Sequence, residues 1–168
     1  YGATDGHETT IPFDIIPRVI AWDEWDYLQK GLVQRVRTLN AFLADAYGKR
    51  EICRAGIIPE EQVLMNAEFV AMAQGLDLPG GVHAHIAGID LVRGGEKDFY
   101  VLEDNVRTPS GVAYVLENRE VMMRLAPELF AAMRVLPVAN YTDELLATLR
   151  SVSYSDDAEP NVVLLTPG

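Results

Sequence analysis

FYVLEDNVRTPSG, residues 99–111, starts as a β-strand and ends as something else. Phe99, Tyr100, Val101 and Leu102 are strand formers, but Glu103, Asp104, Asn105 and Arg107 follow at once. Just upstream, residues 82–92 read as a partner strand, joined to 98–103 through RGGEKD in a hairpin-type connection. With Arg93 opposite Asp98 across Gly94–Lys97, Asp90 falls opposite Val101. Glu103 lies two residues further along, so it shares Asp90's face as a diagonal neighbour, with side-chain roots about 7–8 Å apart. Asn105 keeps the same parity. A slip of one residue would place the two carboxylates on opposite faces.

Two carboxylates and a carboxamide oxygen on one face suit a hard cation such as Mg²⁺, which takes oxygen ligands and substrate phosphates. Arg107 adds a guanidinium able to grip phosphate or carboxylate with two donors. Ser110 and Gly111 then open a helix whose free N–H groups favour an anion. The plainer alternative is that Asp104 and Asn105 end a strand while Glu103 pairs with a nearby arginine. The residues alone leave both open.

The rest of the chain bounds the answer. Its 168 residues, 49% hydrophobic and 23% charged, describe an ordinary globular composition, enough for one domain or one domain plus a piece of another. One cysteine, Cys53, excludes an internal disulfide framework and a Cys-based zinc site. A formal charge of −11 argues against a broad nucleic-acid surface, though bound divalent cations still permit nucleotides. No run reaches transmembrane length and no signal-like leader opens the sequence, so no membrane role and a cytoplasmic setting are expected.

Residues 1–21 are turn-rich, with Pro12 and Pro17 favouring extended backbone. From Asp23 to Tyr47, apolar residues at three- and four-residue spacing predict a helix that stops at Gly48. A short helix is expected over 59–66, a longer one from Ser110 to Met133 interrupted at Pro127, and another from Thr142 to Val152. SDDAEP, 155–160, reads as a linker before a final buried strand, 161–166. Helices, hairpin, helices and strand in that order give an α/β or α+β class.

Other residues compete for attention. His83 and His85 in HAH would share a strand face and loosely resemble the metal strand of cupins, but a third strong ligand is lacking. Cys53 lies between Arg50 and Arg54 and reads as a half-buried thiol. Arg35 and Arg37 in QRVR belong to a solvated helix face, with an anionic ligand as the alternative. Neither a lysine-bearing phosphate loop nor a G-x-G-x-x-G turn is present.

Several blocks together carry a family resemblance: IPFDIIPRVI, GLVQRVRTLNAFLADAYG, GIIPEEQVL, HIAGIDLVR, YVLEDNVRTPSGVAYVLENREVMMR and VVLLTPG. The chain resembles circularly permuted ATP-grasp proteins, a bacterial group often carried as domains of unknown function or provisionally labelled glutathionylspermidine synthases. The resemblance implies an α/β architecture: residues 1–154 as the N-terminal, metal-ligand-bearing part of a permuted ATP-grasp domain, and 155–168 as a linker and first strand of a Rossmann-like domain. It implies ATP and two Mg²⁺ ions as cofactors, with Asp90, Glu103 and Asn105 as metal ligands and Glu103 bridging. It implies Arg107, with Ser110 and Gly111, on phosphate or acyl phosphate. The partners it implies are ATP, a small-molecule or peptide carboxylate and an amine, which are joined as an amide. A chain ending at Gly168 lacks the family's adenine pocket and phosphate-covering loop, so this piece is expected to be inactive by itself. A catalytically silent binding or scaffold module is the alternative, and a cupin-like metal protein a more distant one.

Overall fold

The computed structural model describes residues 12–95, 98–155 and 159–165. Helix α1, Trp22–Ala46, forms as its spacing predicts, with Asp23 and Glu24 in the first turn, where the helix dipole favours acids. A turn follows, and the carboxylate of Asp45 accepts the N–H groups of Glu51 (2.8 Å) and Ile52 (2.9 Å). Those two bonds start α2, Glu51–Arg54, a single turn too short to show as periodicity. They also hold the Asp45 carboxyl below its ordinary range, the Ile52 bond contributing most. Helix α3, Glu60–Leu64, opens behind Pro59.

The strand expected at 82–92 is shorter: β1 spans Gly88–Arg93 and pairs antiparallel with β2, Phe99–Asn105, as a two-stranded sheet. A side chain of α1 accounts for the loss. Asn40 Oδ1 accepts the N–H groups of His83 and Ala84, each at 2.9 Å, and its Nδ2 donates to the Ala84 carbonyl at 3.1 Å. The backbone groups that a ladder would use are therefore spent on the helix.

Beyond the sheet, α4, Val112–Leu125, and α5, Pro127–Met133, break where proline takes the first helical position. Arg119 lies 5.6 Å from the centre of the Phe130 ring and links the two helices. Helix α6, Tyr141–Ser151, is the last regular element among the described residues. Residues 161–165, expected as a strand, make no ladder with any described residue, and Thr166 lies outside the described residues. The α/β class holds, with several helices and, among the described residues, one small antiparallel sheet. Buried apolar side chains among the described residues are few: Leu28, Ala46, Val63, Ala84 and Met122.

Candidate metal and phosphate site

The pairing differs from the simple expectation by one residue near the turn and by two beyond Leu91. Arg93 faces Phe99, Val92 faces Tyr100 and Leu91 faces Val101, but the register then shifts, and Asp90 faces Glu103. Leu102 is the extra residue of a β-bulge. Asp90 and Glu103 are thus direct cross-strand partners rather than diagonal ones, a separation of about 4.5–5.5 Å between Cβ atoms. Gly88 faces Asn105 in the same register.

The bulge also decides which face they occupy. Phe99 and Val101 alternate toward α1, and unbroken alternation would carry Glu103 and Asn105 the same way. Because Leu102 and Glu103 both turn outward, Asp104 takes the inward place and Asn105 returns to the outer face. Asp90, Glu103 and Asn105 are all exposed, while Ile89, Leu91, Phe99, Val101 and Asp104 are partly covered. Asn105 Nδ2 donates to Glu103 Oε1 at 3.1 Å, so the carboxamide oxygen remains available to ligate a cation.

Asp104 is the residue whose role the sequence concealed. Its carboxylate receives Arg35 Nε at 2.7 Å and Arg35 Nη2 at 2.6 Å, a two-pronged bond across 69 residues of chain. The bond to Arg35 holds the Asp104 carboxyl below its ordinary range, and the same bond raises Arg35. The anion that Arg35 meets is a carboxylate of the chain itself, which neither reading of QRVR foresaw. Period-two alternation in E-D-N was the available signal, since alternate residues must part faces.

The loop after β2 folds back over the same outer surface. A Cβ added to Gly88 would come within 2.9 Å of Pro109 Cβ and 3.6 Å of Asn105 Cβ, so only glycine leaves room there. Arg107, which precedes Pro109, forms an ion pair with Glu68 in the segment after α3. Gly111, at φ 94°, is the residue before α4, and no side chain caps that helix end. The helix therefore opens at Val112, and Ser110 lies outside it.

The histidines do not form a centre. His83 stacks on Tyr47 at 6.1 Å, Tyr47 stacks on Phe69 at 4.8 Å, and His85 is exposed. They lie ahead of β1 rather than on a shared strand face. His7 lies outside the described residues, and among those described no group of three His, Cys, Asp or Glu is placed to hold a metal. The outer-face set is two carboxylates and one carboxamide, an all-oxygen complement that fits Mg²⁺ completed by water and phosphate, and not zinc or iron.

Comparison with known proteins gives the chain's family. An uncharacterized protein of Mycobacterium tuberculosis is 48% identical over 163 residues, covering 97% of this chain and 30% of the relative. One from Synechocystis is 46% identical over 168 residues, covering all of this chain and 35% of the relative. A protein of Frankia casuarinae provisionally named glutamate–cysteine ligase 2-2 is 39% identical over 168 residues, covering 98% of this chain and 19% of its own length. No described helix is long and apolar enough to cross a membrane. The family model described as a circularly permuted ATPgrasp matches residues 17–168, and the chain belongs to that family.

Proposed function

We propose that this chain is the metal-ligand-bearing part of an ATP- and Mg²⁺-dependent carboxylate–amine ligase. One observation carries the reading: Asp90 directly opposite Glu103, with Asn105 bonded to Glu103, on the exposed face of the hairpin. Asp90, Glu103 and Asn105 hold the cation, which when bound neutralises phosphate charge and orients the nucleotide. Pro109 folded onto Gly88 keeps the Arg107–Gly111 loop beside that face, where Arg107 can exchange Glu68 for a phosphate oxygen. The uncapped start of α4 adds free N–H donors.

In the reaction, a carboxylate oxygen attacks the γ-phosphorus and ADP leaves, giving an acyl phosphate. An amine nitrogen then attacks the acyl carbon, inorganic phosphate leaves, and the nitrogen loses a proton to give the amide. The adenine pocket belongs to the parts of the longer relatives that this chain does not span. That reading accords with residues 1–154 as one part of a domain and 155–168 as the lead into another. Val163, Leu164 and Leu165, exposed at 77%, 85% and 90%, suit burial against such parts.

The test is ADP and phosphate release by the full-length protein with Mg²⁺, ATP and pairs of carboxylate and amine. Glutamate with cysteine comes first, from the name of the Frankia relative. Release with one pair, abolished by Glu103→Ala, is the expected result. Release with none of the pairs, or release indifferent to Glu103→Ala, refutes the ligase.

A further inference from the structure

Two ion pairs tie the hairpin to α1, and they stand at its opposite ends. Arg93 Nη2 reaches Glu24 at 2.9 Å while its guanidinium carbon lies 4.6 Å from the Phe99 ring centre. At the other end stands the Arg35–Asp104 fork, with the Asp104 side chain only 16% exposed. Glu24 and Arg35 are eleven residues apart on a helix, about 16 Å along its axis. Phe99 and Asp104, with the bulge between them, pair with Arg93 and Ile89, four residues apart on β1, about 13 Å. The two spans are similar enough for both pairs to close at once in this register.

Between them the helix and the inner sheet face are not interlocked. Tyr27, Leu28 and Gly31 on one side and Leu91, Phe99 and Val101 on the other border an open cleft of about 700 Å³. Apolar contact across such a gap does little to fix a strand's register. The weak place in β2 is the bulge, where Leu102 has no partner. Moving the bulge one residue along would exchange faces, turning Glu103 inward and Asp104 outward.

We infer that Arg35 and Asp104 are positioning residues for the proposed metal site, holding the end of β2 so that Glu103 and Asn105 stay outward, opposite Asp90. The inference rests on the metal reading above. Arg35 selects which carboxylate turns inward. With Asp104 in place, its shorter side chain fits the fork and Glu103 is left to the outer face. In Asp104→Asn, the remaining carboxylate able to satisfy Arg35 is Glu103 itself, so the site should be emptied by its own neighbour.

The experiment uses the full-length protein, with Mn²⁺ affinity read by electron paramagnetic resonance in the presence of ATP. Amide hydrogen exchange over 99–105 is followed separately without metal. Asp104→Asn should weaken Mn²⁺ binding about tenfold, as loss of a ligand's support does, and speed exchange at 103–105. Removing the competitor as well, in Arg35→Gln with Asp104→Asn, should recover most of the affinity. A merely structural bond would leave the double variant no better than the single one, and that result overturns the inference. So does parental affinity in Asp104→Asn when Glu103→Ala has lost it. If Asp104→Asn fails to fold, Arg35→Lys decides: it keeps the charge but not the fork, and an unchanged affinity and exchange rate refute the positioning role. Should Glu103→Ala bind Mn²⁺ like the parent, the metal reading falls and the site role falls with it. The exchange data then still report whether the fork holds the strand.

Discussion

The two faces of one short hairpin are built for different tasks. The inner face sets Ile89, Leu91, Phe99 and Val101 toward α1 and fastens its ends with Arg93–Glu24 and Asp104–Arg35. The outer face mixes Val92, Tyr100 and Leu102, at 47%, 63% and 71% exposure, with Asp90, Glu103 and Asn105. Residues adjacent in sequence thus go to anchoring and to the proposed site, in an alternation broken once, at Leu102 and Glu103. A single extra residue, Leu102, sets the phase between them. A candidate site can be placed on a strand without weakening its attachment, because outside the bulge neighbouring side chains take opposite faces.

Substitution on each face is the way to break that comparison. The largest effect should follow Phe99→Ala, which removes a half-covered inner ring and its contact with Arg93. A loss of about 2–3 kcal/mol is expected, below the range for fully buried aromatics, read as a lower urea midpoint. Gly88→Ala should come next, at about 1–2 kcal/mol for a contact that Pro109 must yield to. Unlike Phe99→Ala, it should weaken phosphate binding through the displaced 106–111 loop, measured by nucleotide titration.

Acid should act on the inner face through Asp104. Asp104 has a lowered folded pKa, so its contribution is complete above the unfolded value, about 4, and is lost as pH falls through the folded value. Chemical shifts of α1 and β2 should therefore stay constant from neutrality to about pH 4 and move together only below it. In Arg35→Gln that coupled movement should vanish. The smallest effect belongs to Leu102→Ser. An exposed, unpaired bulge residue should change stability by no more than about 0.5 kcal/mol, and a larger loss in the full-length protein alone would show that another part covers it.

The helices were legible because their spacing is local. Asp23–Tyr47 was expected and Trp22–Ala46 is observed, and Pro127 divides α4 from α5 as its missing N–H requires. The hairpin was legible as a hairpin but not in its register. Phe99-Tyr100-Val101-Leu102 is apolar throughout, so alternation does not say which residue is extra, and no glycine marks the bulge. The histidine strand was misread because Asn40, more than forty residues away, takes its backbone bonds.

From its residues alone this protein resembles the circularly permuted ATP-grasp family, and that resemblance puts the candidate ligands at Asp90, Glu103 and Asn105, which composition and spacing by themselves left open. Which face they occupy, that Asp104 turns away from them, and that Arg35 meets it there were settled in three dimensions. The reason is physical: a bulge and a salt bridge across 69 residues depend on how strand and helix meet, and no local stretch of sequence encodes that meeting.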